Sequence, residues 1–231
     1  LTSTASLEDT LRHIPLFAGW PGAALEALAA AGRRLHCRRR TPLLHDHARR
    51  EVLAVVSGVV EISRTSPEGR KHLLTFLVAG TVAPLVRLLE DTSLEYGYTA
   101  QAGAVVVCLP CAALLAVLDA TPLLWRDIAR AGLLRQRDSV AQLQAQALGS
   151  LRQRVAATLM SLARDTGTPL RDGQHLPMKL SQADLATMLG VSRQTLNKTL
   201  RQLAEEGIAS LSYRRVTFLD AAGLERAGRD A

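Results

Sequence analysis

Aromatic residues make up only 3% of this 231-residue chain. Stacking of unpaired bases on a row of rings is therefore not an expected mode of action. Cysteine is rarer still: three residues, an odd number in a chain this size, build no disulfide framework, and a reducing cytoplasm is the expected compartment. No apolar run approaches the length of a membrane span. The opening LTSTASLEDTLRHIP carries acids where the apolar stretch of a signal peptide would stand, so neither a membrane partner nor export is expected. Acid is in deficit too, with 28 Lys and Arg against 21 Asp and Glu for a net charge of +7. That balance favours a polyanionic partner, but weakly. Residues 150–231 hold 12 bases against 8 acids, a net of +4, and the rest hold 16 against 13, a net of +3. The 48% hydrophobic content leaves ample material for a core.

What is present is most legible between Leu180 and Ile208, in LSQADLATMLGVSRQTLNKTLRQLAEEGI. Ser181 is placed to N-cap a helix, with Asp184 three residues on as the reciprocal partner of a capping box. Leu185 and Leu189 share one face, and Ala186 is small enough for another helix to approach. Gly190 stands where a helix ends with positive φ, Val191 can plug the turn, and Ser192 caps a second helix with Leu196, Leu200 and Leu203 at helical spacing. The opposite face of that helix reads Arg193, Gln194, Asn197, Lys198, Arg201. Arg and Lys favour guanine and Gln or Asn favour adenine in a DNA major groove. A solvated polar face would explain the charges alone; the small residue, plug, cap and polar first turn in register predict a helix-turn-helix. Downstream, ASLSYRRVTFLD reads as two short strands with a turn near Tyr213, a wing whose tip carries Arg214 and Arg215 toward phosphates.

These residues resemble the winged helix-turn-helix of the CRP/FNR family of transcription regulators. In that family the positions matching Arg193, Gln194 and Lys198 contact bases or phosphate. Many members carry Glu where Gln194 stands and Arg where Lys198 stands, so the family's usual half-site is not the expectation here. The reading assigns base readout to Arg193, Gln194, Asn197 and Lys198, and phosphate positioning to Ser181, Ser192, Thr195, Arg201, Arg214 and Arg215.

Upstream, Leu7, Leu11 and Ile14 and then Leu25, Leu28 and Ala29 mark short helices around Pro15 and Pro21. From about Arg33 the pattern changes to short β-branched runs (VLAVVSGVVEISR, KHLLTFLVAG, AVVVCLP) that predict a β-sandwich or barrel, with hairpin turns at Gly58 and Gly69. Residues 111–119 and 122–148 are expected to be helical, and 151–164 again, followed by a small hairpin in TGTPLRDGQHLPMKL. The expected fold is α+β: an N-terminal double-stranded β-helix (jelly-roll) sensor domain over 1–121, a long helix over 122–148, and a winged helix-turn-helix over 149–231. In the long helix Ala129, Leu133, Gln136, Val140, Leu143 and Ala147 alternate in steps of four and three, a coiled-coil seam. The same residues could pack the helix on its own β-domain; the resemblance favours a homodimer seam, with two recognition helices about one DNA turn apart. Double-stranded DNA and a second copy of the chain are thus the expected partners. RNA polymerase would join them in an activator, although no motif for it is readable.

The resemblance also implies what the roll does not bind. The family's nucleotide site resembles Phe-Gly-Glu followed by Arg-Ser/Thr-Ala. Here the first position is Thr81-Val82-Ala83-Pro84, and the second falls near Leu94-Glu95-Tyr96, with an acid where phosphate would sit. No cyclic AMP binding is expected, because an anionic phosphate would lose its charge-assisted partners. An iron–sulfur cluster is not expected either, with three cysteines and none before Cys37. The effector is left unassigned, and a regulator with no effector at all, its DNA occupancy set by protein level alone, is a further alternative. Cys108-Leu109-Pro110-Cys111 could be a redox pair, but a strand cysteine followed by one in a first helical turn is the expected reading. His45, His47 and Glu51 followed by Gly58 match the first metal motif of cupins, and are candidate metal ligands or exposed loop histidines. A cupin-like metalloprotein with an accessory DNA-binding domain is the competing class. No nucleophile or acid–base constellation elsewhere supports an enzyme. The run Arg38-Arg39-Arg40 is read as a solvated strand edge.

Overall fold

A computed structural model describes residues 5–44, 50–67, 69, 71–90, 96–166 and 168–229. The chain divides into two units, residues 1–63 with 76–136 and residues 64–75 with 137–231. From the N-terminus, α1 (Leu7–Arg12) and α2 (Gly22–Ala31) precede eight strands: β1 (Arg33–Cys37), β2 (Thr41–Leu43), β3 (Glu51–Ser57), β4 (Val59–Thr65), β5 (Lys71–Val78), β6 (Val82–Ala83), β7 (Gly97–Ala100) and β8 (Ala104–Pro110). They form two four-stranded sheets, ordered β1-β8-β3-β6 and β2-β7-β4-β5. This is the jelly-roll expected from the short β-branched runs.

The uninterrupted apolar stretches of β3 and β8 follow from burial on both faces. Leu53 and Val55 of β3, with Val106 and Cys108 of β8, point into the roll, where they meet Val60, Ile62, Tyr98 and Ala100. Val52, Ala54, Val107 and Leu109 point the other way, onto Leu11, Phe17, Trp20, Leu25 and Leu28 of the N-terminal helical segment and Leu114 and Leu118 of α3 (Cys111–Ala120). The β3–β8 ladder slips between Val55 and Ser57, a bulge where β3 ends.

Gly58 differs from the expectation. It does not close a hairpin, because β3 and β4 lie in different sheets, and the chain changes sheet at this residue. Glycine is required at this crossing on steric grounds: φ is +76°, and a Cβ would stand 2.7 Å from Ala104 Cα. Gly69 (φ +78°) does sit in a tight turn, between β4 and β5, with its N–H on Ser66 O. The arginines at 38–40 lie in the exposed connection between β1 and β2 rather than on a strand, and Arg40 bonds the buried carboxylate of Glu61.

After a short 3₁₀ turn at Pro122–Leu124, α4 runs over Trp125–Leu148. Trp20 Nε1 donates to Asp127 at 3.0 Å and fastens its first turn. No described residue from Gly132 to Leu148 is buried, among them Leu133 (65% exposed), Val140 (47%) and Leu143 (64%). No helix among the described residues is long and apolar enough to cross a membrane.

In the second unit, α5 (Leu151–Asp165) starts in a full capping box between Ser150 and Gln153. It packs against α8 (Ala221–Arg229), and between them in sequence lie α6 (Gln182–Leu189), α7 (Arg193–Glu205), β9 (Ala209–Ser212) and β10 (Arg215–Phe218). Residues 173–180 do not form the expected hairpin with themselves. They run beside β10, with Leu176 N–H on Val216 O (3.1 Å), Leu180 N–H on Arg214 O (2.9 Å) and an isolated bridge between His175 and Thr217. The free edge of β10 offers partners that a hairpin split by Pro177 could not match.

Candidate nucleic-acid interface

The interface is built on two capped helices. Ser181 Oγ accepts the Asp184 N–H at 3.0 Å, and Asp184 Oδ2 accepts from the Ser181 N–H (3.1 Å) and hydroxyl (2.6 Å). Both halves of the capping box are thus present, although the reciprocal acid is the shorter Asp. Leu185, Ala186 and Leu189 are buried. Gly190 takes φ +65°, and Val191 N–H reaches back to Ala186 O at 3.0 Å, which ends α6 with its carbonyls satisfied. Arg154 of α5 donates to Leu189 O and ties the same helix end to the body of the unit. Three residues after Leu189, Ser192 caps α7 by accepting the Thr195 N–H at 3.0 Å.

Burial of Leu196, Thr199, Leu200 and Leu203 fixes the rotation of α7 about its axis. Arg193, Gln194, Thr195, Lys198 and Arg201 are therefore turned outward and exposed, and Asn197 is half-buried at the edge of the same face. An open trough runs along it, lined by Gln194, Thr195, Asn197, Lys198, Arg201, Gln202 and Glu205. Gln202 and Glu205 were not singled out from sequence. They lie one turn beyond Lys198 and Arg201, so continuing the spacing 194, 198, 201, 205 would have found Glu205. Gly207 (φ +69°) ends the helix, and Arg152 grips Glu206 through bonds of 2.6 and 2.5 Å. This guanidinium holds the exposed Glu206 carboxyl below its ordinary range.

β9 and β10 pair antiparallel from Ser212↔Arg215 to Ala209↔Phe218. The turn consists of Tyr213 and Arg214 alone, so the tip carries one arginine, and Arg215 opens β10. Arg214 lies 3.8 Å from Asp184 Oδ2, so this proposed phosphate group also faces an acid of its own domain. Ser181 and Ser192 likewise spend their hydroxyls on caps, Ser192 Oγ lying 2.8 Å from Thr195 Oγ1. Arg193, Gln194, Lys198 and Arg201 sit together on the outer face, while Ser181 and Arg214 each lie beside Asp184 in the first turn of α6.

The other candidates separate. Cys108 belongs to the core inside the roll, whereas Cys111 belongs to the core between sheet and helices. None of the three cysteines is in a disulfide, all are buried, and burial pushes the Cys108 thiol up to about 11. A buried neutral thiol is inert, which is the structural reading of the C-x-x-C. Glu51 is buried and takes two bonds from Arg33 (3.3 and 2.9 Å), so its carboxylate is already neutralised by a base. His45 and His47 lie outside the described residues. Among the described residues no group of three His, Cys, Asp or Glu is close enough to hold a metal ion. Val82 and Ala83, at the first nucleotide position, are a buried strand paired to β3; of the second, only Tyr96 is described, and its ring meets that of the buried Tyr98 at a tilt of 55°, centroids 5.8 Å apart.

A capped helix pair with an outward polar face, followed by a two-stranded wing, defines a winged helix-turn-helix DNA-binding protein. Residues 153–227 match the Crp-like helix-turn-helix domain. The chain is 31% identical over 189 residues to the transcriptional regulator LdrP of Thermus thermophilus, spanning 82% of this chain and 93% of that protein. It is 28% identical to the cyclic AMP receptor protein of the same organism, over 93% and 97% of the two chains. The crystal structure of a CRP-family transcriptional regulator, also from Thermus thermophilus, superposes with a TM-score of 0.66 at 28% identity, covering 86% of this chain and 97% of that one. The chain belongs to the CRP/FNR family and is a DNA-binding transcription regulator.

Proposed function

We propose that the protein acts in the cytoplasm as a homodimer on a roughly palindromic operator. One α7 from each protomer enters successive major grooves about 10 base pairs apart. The observation that carries this reading is the outward face of α7: Arg193, Gln194, Asn197 and Lys198 stand on a helix whose opposite side is buried. These four read base edges, while Arg201, Arg215, Thr195 and the N-terminal turns capped by Ser181 and Ser192 meet phosphate. Arg214 splits its charge between phosphate and Asp184.

α4 supplies the dimer seam through Ala129, Leu133, Gln136, Val140, Leu143 and Ala147. The exposure of Leu133, Val140 and Leu143 supports it, because leucines packed on their own β-domain would be covered. The roll does not bind cyclic AMP. Thr81 to Pro84 offers neither a carboxylate for a ribose nor the family's glycine, and Val82 and Ala83 are paired and buried. A signal received in the roll would reach the DNA by shifting the population of seam geometries, since the same helix carries the seam. In an activator, RNA polymerase is the further partner.

Selection of bound duplexes from a random pool at fixed physiological salt, with and without cyclic AMP, tests these points together. The expected result is one palindromic motif, with half-sites about one helical turn apart, recovered equally in both conditions. A motif recovered only with cyclic AMP would overturn the reading of the roll. A non-palindromic or absent motif would overturn the dimeric operator.

A further inference from the structure

The wing tip adopts a backbone that its side chains disfavour. Tyr213 (φ +48°) and Arg214 (φ +64°) are consecutive left-handed residues between paired strands. Such a two-residue hairpin turn is filled by Asn-Gly or Gly-Gly when folding alone sets the choice, because a Cβ crowds the backbone at both positions. The turn is nevertheless held firmly: Leu180 N–H donates to Arg214 O at 2.9 Å, and the Arg214 guanidinium lies 3.8 Å from the Asp184 carboxylate that caps α6. On this fixed tip the Tyr213 ring is fully exposed, with no hydrogen bond or ring contact among the described residues. Strain, rigidity and an unused aromatic ring have no common rationale in folding. Strained turns that persist in this way mark contact sites.

We propose that Tyr213 is a DNA contact of the wing, its ring lying against the sugar wall of the minor groove that flanks the major groove read by α7. The inference rests on the DNA-binding reading of α7 and assigns to the wing a role beyond phosphate neutralisation. Grooves alternate along a duplex, so the surface next to an occupied major groove is the sugar–phosphate ridge and the minor groove behind it. A flat amphipathic ring suits that narrow groove: its face covers deoxyribose carbons, and its hydroxyl donates to a base or phosphate acceptor. Two side-chain torsions already limit the ring, and the rigid tip limits it further, so little entropy is lost on contact. Arg214 becomes chiefly a positioning residue that holds the tip through Asp184.

The test uses the full chain labelled with 3-fluorotyrosine and a duplex recovered by selection, with binding followed separately by fluorescence anisotropy. The chain has three tyrosines, so Tyr96 and Tyr98, both in the roll, serve as references, and Tyr213→Phe assigns the third signal. On saturation with duplex the Tyr213 signal is expected to shift and broaden. Tyr213→Asn, which suits the left-handed turn better, is expected to melt at or above the native temperature. Its affinity should fall on the order of tenfold per wing, the effect of re-exposing roughly half a tyrosine ring, and so about a hundredfold for a dimer with two wings on the duplex. A duplex shortened to the base pairs under the two α7 helices should remove the difference between native and variant. A Tyr213 signal unmoved in a saturated complex, or native affinity in Tyr213→Asn, would overturn the proposal while leaving α7 as the reader. Absence of duplex binding by the native chain in the anisotropy arm would instead overturn the reading on which it rests.

Discussion

The seam of α4 offers a prediction whose size can be worked out. Leu133 is 65% exposed and Leu143 is 64% exposed in the single chain, on a helix with no buried residue described beyond Ala131. If both are covered in a dimer, Leu→Ala at one position removes three carbons that would be about two-thirds newly buried. At roughly 0.8 kcal/mol per carbon this is about 1.6 kcal/mol per side chain, and about 3 kcal/mol per dimer, because a two-fold interface loses both copies. Leu133→Ala should therefore weaken dimerisation by roughly 200-fold, at about 1.4 kcal/mol per factor of ten. Sedimentation equilibrium over nanomolar to micromolar protein would measure it. Leu134→Ala is the control, since Leu134 lies one residue off the seam at 41% exposure and should change association little. Leu133→Ala should leave the folded chain unaffected, because that side chain is mostly exposed and belongs to neither core cluster. Equal losses for both variants, or dimerisation indifferent to Leu133, would refute the seam as drawn.

Arg193→Ala should relax base preference at one position of each half-site, at about 1–3 kcal/mol, as read by selection with the variant. Arg215→Ala should instead weaken binding to every duplex and reduce the slope of log affinity against log salt by about 2 for a dimer. Gly58→Ala should destabilise the roll by roughly 2–4 kcal/mol in urea unfolding, since its Cβ would stand 2.7 Å from Ala104 Cα at a φ of +76°. A thiol reagent at pH 8 should find the native chain almost unreactive and three equivalents after unfolding. The native Cys108 pKa of about 11 lies above the ordinary 9.0, so the neutral thiol contributes stability in full below pH 9 that fades as pH rises from 9 toward 11. Rapid modification at pH 8 would revive a redox role for the C-x-x-C.

The helix-turn-helix was legible because its signals are local. Ser181 with Asp184, Gly190, and Ser192 each answer a steric or hydrogen-bonding demand within four residues of chain, and all three are found in the expected roles. The jelly-roll was legible as a class because doubly buried strands must read as runs such as VLAVV. Strand pairing was not, since it depends on residues far apart. Nothing around Gly58 distinguishes a hairpin turn from a change of sheet; the pairing of β3 with β8 and of β4 with β7, far along the chain, makes the difference. The same holds for Cys108 and Cys111. Three residues apart at the end of a strand, they look like a pair, but a strand alternates its faces, and the helix after Pro110 opens on the side away from the roll. Sequence spacing therefore sends the two thiols into different cores. The wing shows the converse. Its turn was placed correctly from YRR, yet the functional weight fell on the two arginines, because charge is what sequence displays. The backbone supplies the missing term: a positive φ at Tyr213, where Asn or Gly would sit more easily, makes the unremarked tyrosine the residue whose presence folding does not explain.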